Sequence, residues 1–207
     1  LVPQAGLAFH LSPSTDIKAL ASKGFRNPVI KEMYMFPPAN TQLEPERMMN
    51  YELSLAQQFG SQGQINANIF YIDGENLITT TRIDGRPRNV NMGEFKNWGI
   101  ELAGSYNLSK HWRINANYSF LNMEKPIEGA PKHKLYAGVN FHSGRWSLIS
   151  GLQHISGLYI TTGEHPAEEN YTLFNATASY RIIPFATLFL KGENLLAEQY
   201  QTFAGFP

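Results

Sequence analysis

The sequence predicts an all-β chain whose antiparallel strands, about ten of them, run up and down in the manner of a transmembrane β-barrel. Three observations carry this. Apolar and polar residues alternate with a period of two through one segment after another, which gives each segment one apolar and one polar face. The connections between segments alternate short and long, a rim asymmetry that outer-membrane barrels have and soluble sandwiches lack. Phe59, Trp112, Phe141, Trp146 and Phe185 all lie within a residue or two of a short connection, as an interfacial aromatic girdle requires.

The segment from Asn97 to Phe120 shows the pattern most clearly. Ile100, Leu102, Tyr106 and Leu108 alternate with Glu101, Ser105 and Asn107, then Trp112, Ile114, Ala116, Tyr118 and Phe120 alternate with Arg113, Asn115, Asn117 and Ser119. Only Ser109-Lys110-His111 separates the two arms, which suits an antiparallel hairpin. Taken alone, the alternation fits a soluble half-buried sheet or a barrel with its polar face inward. The loop lengths favour the barrel, with the Ile100/Leu102/Tyr106 and Trp112/Ile114/Tyr118 rows outside and the Glu101/Ser105 and Arg113/Asn115/Asn117 rows inside.

In chain order, Gly6 to Ser12 reads as a strand, the Ser12-Pro13-Ser14-Thr15 stretch as a turn, and Ile17 to Phe25 as the return. A long connection with Pro28, Pro37, Pro38 and Pro45 reaches Glu46, and Ile30 to Met35 within it suits one helical turn. Arg47 to Phe59 and Gln64 to Ile72 form the next hairpin around Gly60-Ser61-Gln62-Gly63. A polar stretch with Asp73-Gly74-Glu75, Asp84-Gly85 and Arg86-Pro87-Arg88 then leads into the 97–120 hairpin. A strand through Leu135, Ala137, Val139 and Phe141 follows a Pro126/Gly129/Pro131 loop, and turns at Gly144 into Trp146 to Ile160. After a polar loop around Gly163 and Pro166, Asn170 to Ile182 and Phe185 to Leu190 make the last hairpin, and 191–207 carries no strand pattern.

Composition narrows the function. Seventeen basic residues balance seventeen acidic ones, which removes the electrostatic case for nucleic acid. There is no cysteine, so thiolate metal sites, disulfides and cysteine catalysis are excluded. No apolar run reaches the length of a transmembrane helix, but a barrel strand needs only about 9–11 residues. The opening Leu1-Val2-Pro3 and the closing Gly205-Phe206-Pro207 stand in mid-pattern, so the reading expects a segment of a larger protein.

Specific stretches then point to a family. Gly24-Phe25-Arg26-Asn27-Pro28 with Glu32-Met33-Tyr34 resembles a strand exit that opens a long extracellular loop. Leu43-Glu44-Pro45-Glu46 ahead of Asn50-Tyr51-Glu52-Leu53, Asn97-Trp98-Gly99-Ile100-Glu101, and Ala130-Pro131-Lys132-His133-Lys134 resemble strand starts. Gly192-Glu193-Asn194-Leu195-Leu196-Ala197-Glu198-Gln199-Tyr200 resembles the element that precedes a last strand. In this order they are similar to the TonB-dependent outer-membrane receptors. The resemblance implies a barrel of about 22 strands, closed by an N-terminal plug, in the outer membrane of a Gram-negative bacterium. Residues 1–207 would be the C-terminal portion of that barrel, without plug, TonB-contacting box or final strand. It further implies import of a ferric siderophore or cobalamin-like chelate. The implied partners are the inner-membrane TonB complex through the plug, outer-membrane lipid and the ligand, with a surface lipoprotein as a further candidate.

Most of the matching residues have structural explanations. Gly24 and Gly99 relieve crowding, Pro45 and Pro131 start strands where a missing N–H costs no ladder bond, and Asn194 forms a turn. The search for chemistry finds no phosphate loop, dinucleotide fingerprint or nucleophile elbow. The six histidines are scattered singly, and Asp73-Gly74-Glu75 and Asp84-Gly85 read as turn chemistry without calcium spacing. No enzyme, cofactor or metal is therefore expected. Ligand contacts are assigned by loop position to Tyr34, Phe36, Arg86, Arg88 and His165, because aromatics and arginines commonly anchor ligands. A passive porin, an outer-membrane hydrolase and a soluble β-rich binding module stand as rival readings.

Overall fold

The computed structural model describes residues 2–162 and 166–205. Its strands are β1 (Gln4–Ser12), β2 (Thr15–Arg26), β3 (Glu46–Phe59), β4 (Gly63–Glu75), β5 (Ile78–Ile83), β6 (Arg86–Asn91), β7 (Phe95–Asn107), β8 (Trp112–Met123), β9 (Pro131–Ser143), β10 (Trp146–Thr161), β11 (Ala167–Ile183) and β12 (Ala186–Gly192). One short helix, α1 (Ile30–Tyr34), follows β2. Ten of the strands form a single sheet in the order β1-β2-β3-β4-β7-β8-β9-β10-β11-β12, every pair antiparallel. The up-and-down meander foreseen from the sequence is present. Pro45 lies immediately before β3 and Pro131 opens β9, where neither interrupts a ladder.

Register converts the alternation of each strand into continuous rows. One row runs Phe9–Ile17–Leu55–Ala67–Leu102–Tyr118–Leu135 across seven strands, and the next runs Leu7–Ala19–Leu53–Ile69–Ile100–Phe120. Between them on the opposite face lies Lys18–Ser54–Asn68–Glu101–Ser119–Lys134. A shift of one residue would place polar residues such as Lys18, Ser54, Asn68 or Glu101 in the apolar rows, so the two-faced pattern specifies the pairing. The face assignment made for the 97–120 hairpin holds: Leu102 faces Tyr118 and Tyr106 faces Ile114, while Ser105 faces Asn115 and Ala103 faces Asn117. Leu53, Ile69, Leu102 and Leu148 on the apolar face are exposed, without cover from the described residues.

Aromatics bound this apolar face at both ends. Near the short turns, Trp112 packs on Phe141 with ring centroids 4.6 Å apart, and Trp146 on Tyr180 at 4.7 Å. A second row, which the sequence reading did not identify, includes Tyr51 and Tyr71 at 6.4 Å and Trp98 and Phe120 at 5.2 Å. On β3, β7 and β8 the two rows are eight residues apart (Tyr51 and Phe59, Trp98 and Tyr106, Phe120 and Trp112). At about 3.3 Å per residue and a tilt of about 40°, that is about 20 Å of height, close to the apolar band of a membrane barrel.

Within the span, three charges of the polar face meet neutral partners. Arg113 donates to Ser105 Oγ at 2.9 Å, Asn68 Nδ2 donates to Glu101 at 3.4 Å, and Asn50 Nδ2 donates to Glu52. Toward the long loops the same face turns apolar. A Cβ on buried Gly99 would collide with the Phe120 carbonyl oxygen and the Phe70 ring. Crowding explains this glycine, as the sequence suggested. Gly99→Val should destabilise the sheet by about 1–3 kcal/mol, whereas Gly60→Ala at an open turn should act only through its positive φ. Denaturant titration of the folded barrel would separate them.

Two parts of the sequence reading require correction. Asp73-Gly74-Glu75 continues β4 rather than forming a turn, with Gly74 making room for the buried Phe95 ring. The polar stretch from 76 to 94 contains a hairpin, β5–β6, closed by Asp84-Gly85 with both residues at positive φ. Such a pair is the favoured two-residue hairpin turn. Residues 193–205 lack strand pattern, as expected, but are ordered. Asn194, at φ +48°, bonds Glu198 through both ends of its amide, and Tyr200 stacks on Tyr171 at 4.2 Å. This segment covers the small apolar cluster of Ile155, Leu158 and Tyr171.

Candidate functional site

Helix α1 is only five residues long and has no polar side chain at its N-cap position Val29. Glu32, three residues on, takes the Val29 N–H at 2.9 Å, the half of a capping box that its position supplies. The same carboxylate accepts from Arg26 Nη1 at 2.8 Å. Arg26 also reaches Glu46, with Nε to Oε2 at 2.6 Å and Nη2 to Oε1 at 2.7 Å, a two-pronged contact that a guanidinium fork suits. Glu46 is 4 % exposed and takes a further N–H from Ile78 at 2.9 Å. Burial pushes its carboxyl up, but the Arg26 fork and the Ile78 N–H outweigh burial and hold it below the usual glutamate value. Arg26 is held above its ordinary value, first by its bond to Glu46.

Asparagines continue this clasp beyond the upper aromatic row. Asn91 donates to the carbonyls of Glu44 (2.9 Å) and Asn76 (2.8 Å) and accepts the Glu44 N–H at 2.9 Å. Asn76 Nδ2 donates to Glu44 Oε2 at 2.9 Å. Asn89, also buried, donates to the Glu32 carbonyl at 2.7 Å, and Asn40 donates to the Asn89 carbonyl at 2.8 Å. The base of hairpin β5–β6 is thereby bonded to the loop between β2 and β3.

Where the two meet lies a groove lined by Phe36, Pro37, Pro38, Arg86 and Pro87. Two of the residues chosen from sequence, Phe36 and Arg86, are thus brought together by loops that leave different strands. Tyr34, at the end of α1, is 58 % exposed and outside this lining. Arg88 is half-buried, and its Nε is enclosed with no hydrogen-bond partner among the described residues. His165 lies outside the described residues. The clasp residues Asn40, Glu44, Glu46, Asn89 and Asn91 were not anticipated. The available signal was Asp84-Gly85 between two Thr/Val/Ile-containing runs, the ordinary hairpin pattern.

At the far side of the same rim, Lys132 bonds Glu168 at 2.7 Å and lies 5.0 Å from the Tyr159 ring centre. Their mutual bond holds Lys132 above and Glu168 below their ordinary values. Gly157, at φ +64°, forms a bulge whose N–H is taken by Asn170 Oδ1 at 2.7 Å. Among the described residues no group of three or more His, Asp or Glu side chains is placed to hold a metal ion. This rim presents aromatic, proline and guanidinium surfaces.

Comparison with known proteins is consistent with this architecture. A family model described as TonB dependent receptor-like, beta-barrel, matches residues 1–195. The vitamin B12 transporter BtuB of Photobacterium profundum is 23 % identical over 95 % of this chain and 34 % of its own length. The corresponding transporter of Vibrio cholerae is 24 % identical over 97 % of this chain and 34 % of its own length. The chain therefore spans about a third of the curated relatives it matches. Among solved structures, the copper transporter OprC superposes with a TM-score of 0.80 at 18 % identity, covering 96 % of this chain and 34 % of that one. The siderophore receptor PiuA of Acinetobacter baumannii gives 0.78 at 20 % identity, covering 97 % and 32 %. These two show a shared fold. With an apolar face bounded by aromatic rows, a polar face opposite, long loops at one rim, and a family match over nearly its whole length, the chain belongs to the TonB-dependent receptor β-barrel family.

Proposed function

We propose that residues 1–207 are the C-terminal portion of an outer-membrane receptor that binds a scarce solute at its extracellular rim and imports it with TonB-coupled energy. On this reading the full barrel has about 22 strands and the remainder of the protein supplies a plug inside it. The observation that carries the binding role is the groove of Phe36 and Arg86 on two loops held together by buried hydrogen bonds. A preorganised surface binds without first losing the entropy of loop ordering. Phe36, Arg86, Tyr34, Arg88 and His165 are the candidate contacts. A ferric siderophore or a cobalamin-like chelate is the candidate cargo. Relatives described as a vitamin B12 transporter and a siderophore receptor support both cargo classes, and support transport over catalysis. The partners on this reading are the TonB complex, outer-membrane lipid of a Gram-negative cell and the chelate, with a surface lipoprotein as a further candidate.

The test is uptake of labelled vitamin B12 and of labelled ferric chelates by cells carrying the full-length receptor, with and without an uncoupler. Saturable uptake of one solute, abolished by the uncoupler, is the expected result. Uptake indifferent to both the solute and the uncoupler would establish a passive pore instead.

A further inference from the structure

Loops that leave a sheet from different strands move separately unless something joins them. Here one residue, Asn89, bonds to α1, to the paired strand β5 and to the return of the β2–β3 loop. Asn89 is 7 % exposed, and its Nδ2 donates to the Glu32 carbonyl on α1 at 2.7 Å. Its Oδ1 accepts the Thr80 hydroxyl of the paired strand β5 at 2.6 Å. Its main-chain carbonyl accepts from Asn40 on the return of the β2–β3 loop at 2.8 Å. Asn89 does not line the groove, but Phe36 follows Glu32 by four residues and Arg86 precedes Asn89 by three. Only a side chain with a donor and an acceptor at once satisfies both the Glu32 carbonyl and the Thr80 hydroxyl. A buried group that loses its partner costs more than the bond itself was worth.

We infer that Asn89 is a positioning residue that joins the β2–β3 loop and hairpin β5–β6 into one preassembled jaw. The groove then exists before cargo arrives, and the two loops move as one body when it binds. The consequence for transport rests on the proposed cargo role of the groove, whereas the mechanical coupling stands on the hydrogen bonds alone.

Both can be read on the full-length receptor. Spin labels on Lys31→Cys and Asp84→Cys, exposed positions on the two loops, report the distance across the jaw. Residues 1–207 contain no native cysteine to compete for label. The expected result is one narrow distance distribution, unchanged by saturating vitamin B12 or a ferric chelate. Asn89→Ala should broaden it. Asn40→Ala, which removes a bond from the other side and leaves Asn89 intact, should broaden it also. In the same cells Asn89→Ala should raise the KM for the imported solute about tenfold, a change of about 1.4 kcal/mol, with the maximal rate kept. Asn89→Asp, which retains the acceptor for Thr80 but loses the donor to Glu32, should behave like Asn89→Ala. A broad distribution in the wild type would overturn the jaw, and a narrow one that survives Asn89→Ala would overturn Asn89 as the residue that joins it. A lower maximal rate at unchanged KM would overturn the positioning role. If neither solute is imported by the wild type, the cargo reading fails while the distance measurement still decides the coupling.

Discussion

Replacing Leu102 by arginine should cost about 2–4 kcal/mol of insertion free energy, while arginine at neighbouring Ala103 should leave insertion nearly unchanged. Leu102 is midway between Trp98 and Tyr106 on β7, in the apolar row with Ala67 and Tyr118. A guanidinium there sits at the middle of the hydrocarbon layer, where it has no partner and the longest reach to water. Ala103 faces the other way, in register with Asn66 and Asn117. Ile114 is only two residues from Trp112, so Ile114→Arg should cost less than Leu102→Arg, since its side chain snorkels to the interface. Refolding of the full-length barrel into lipid vesicles across a denaturant series measures all three. Equal costs at Leu102 and Ala103 would contradict the two-faced sheet.

The clasp at the long-loop rim should open when Arg26 is removed. Arg26→Ala leaves the Glu46 carboxylate, 4 % exposed, with the Ile78 N–H as its remaining hydrogen bond. The loss expected for a charged hydrogen bond is about 1.5–3 kcal/mol, toward the lower end because the Arg26 side chain is itself 42 % exposed. It should appear as faster amide exchange in residues 27–45 and 76–94, with the sheet unaffected. Acid should do the same. Because Glu46 has its folded value lowered, its contribution is present above the unfolded value of about 4.5 and is lost as pH falls through the folded one. Glu46→Gln should remove that acid sensitivity. Exchange in both loops that ignores Arg26→Ala would show that the ion pair does not hold them.

The sequence made the sheet legible because its dominant force has a short period. Alternation along β7 and β8 and the contrast of short and long connections identify ten strands and two faces, and register follows once one face is apolar. Family-like stretches such as 97–101 and 192–200 sharpened that reading. The site was far less legible. Phe36 and Arg86 were chosen by residue type and loop position, and only folding shows that they share a groove. The clasp escaped because its bonds join residues as distant as Asn89 and Glu32, or Asn91 and Glu44, through main-chain carbonyls that any residue carries. Periodicity contains no information about such contacts. Hairpin β5–β6 was hidden for a related reason. Pro87 and the Thr and Asn residues around it disguise a short strand pair that lies beyond the membrane rows and so has no apolar face to display.

The central claim is that one face of this sheet meets lipid and the other an aqueous lumen. Single cysteines at each position from 100 to 107 in β7, spin-labelled in the full-length receptor reconstituted into bilayers, test it most directly. Collision rates with oxygen, which concentrates in hydrocarbon, should peak at 100, 102, 104 and 106. Collision rates with a water-soluble nickel chelate should peak at 101, 103 and 105. Two out-of-phase oscillations of period two are the predicted result. Oxygen and nickel profiles that rise and fall together, or that show no alternation, would contradict it.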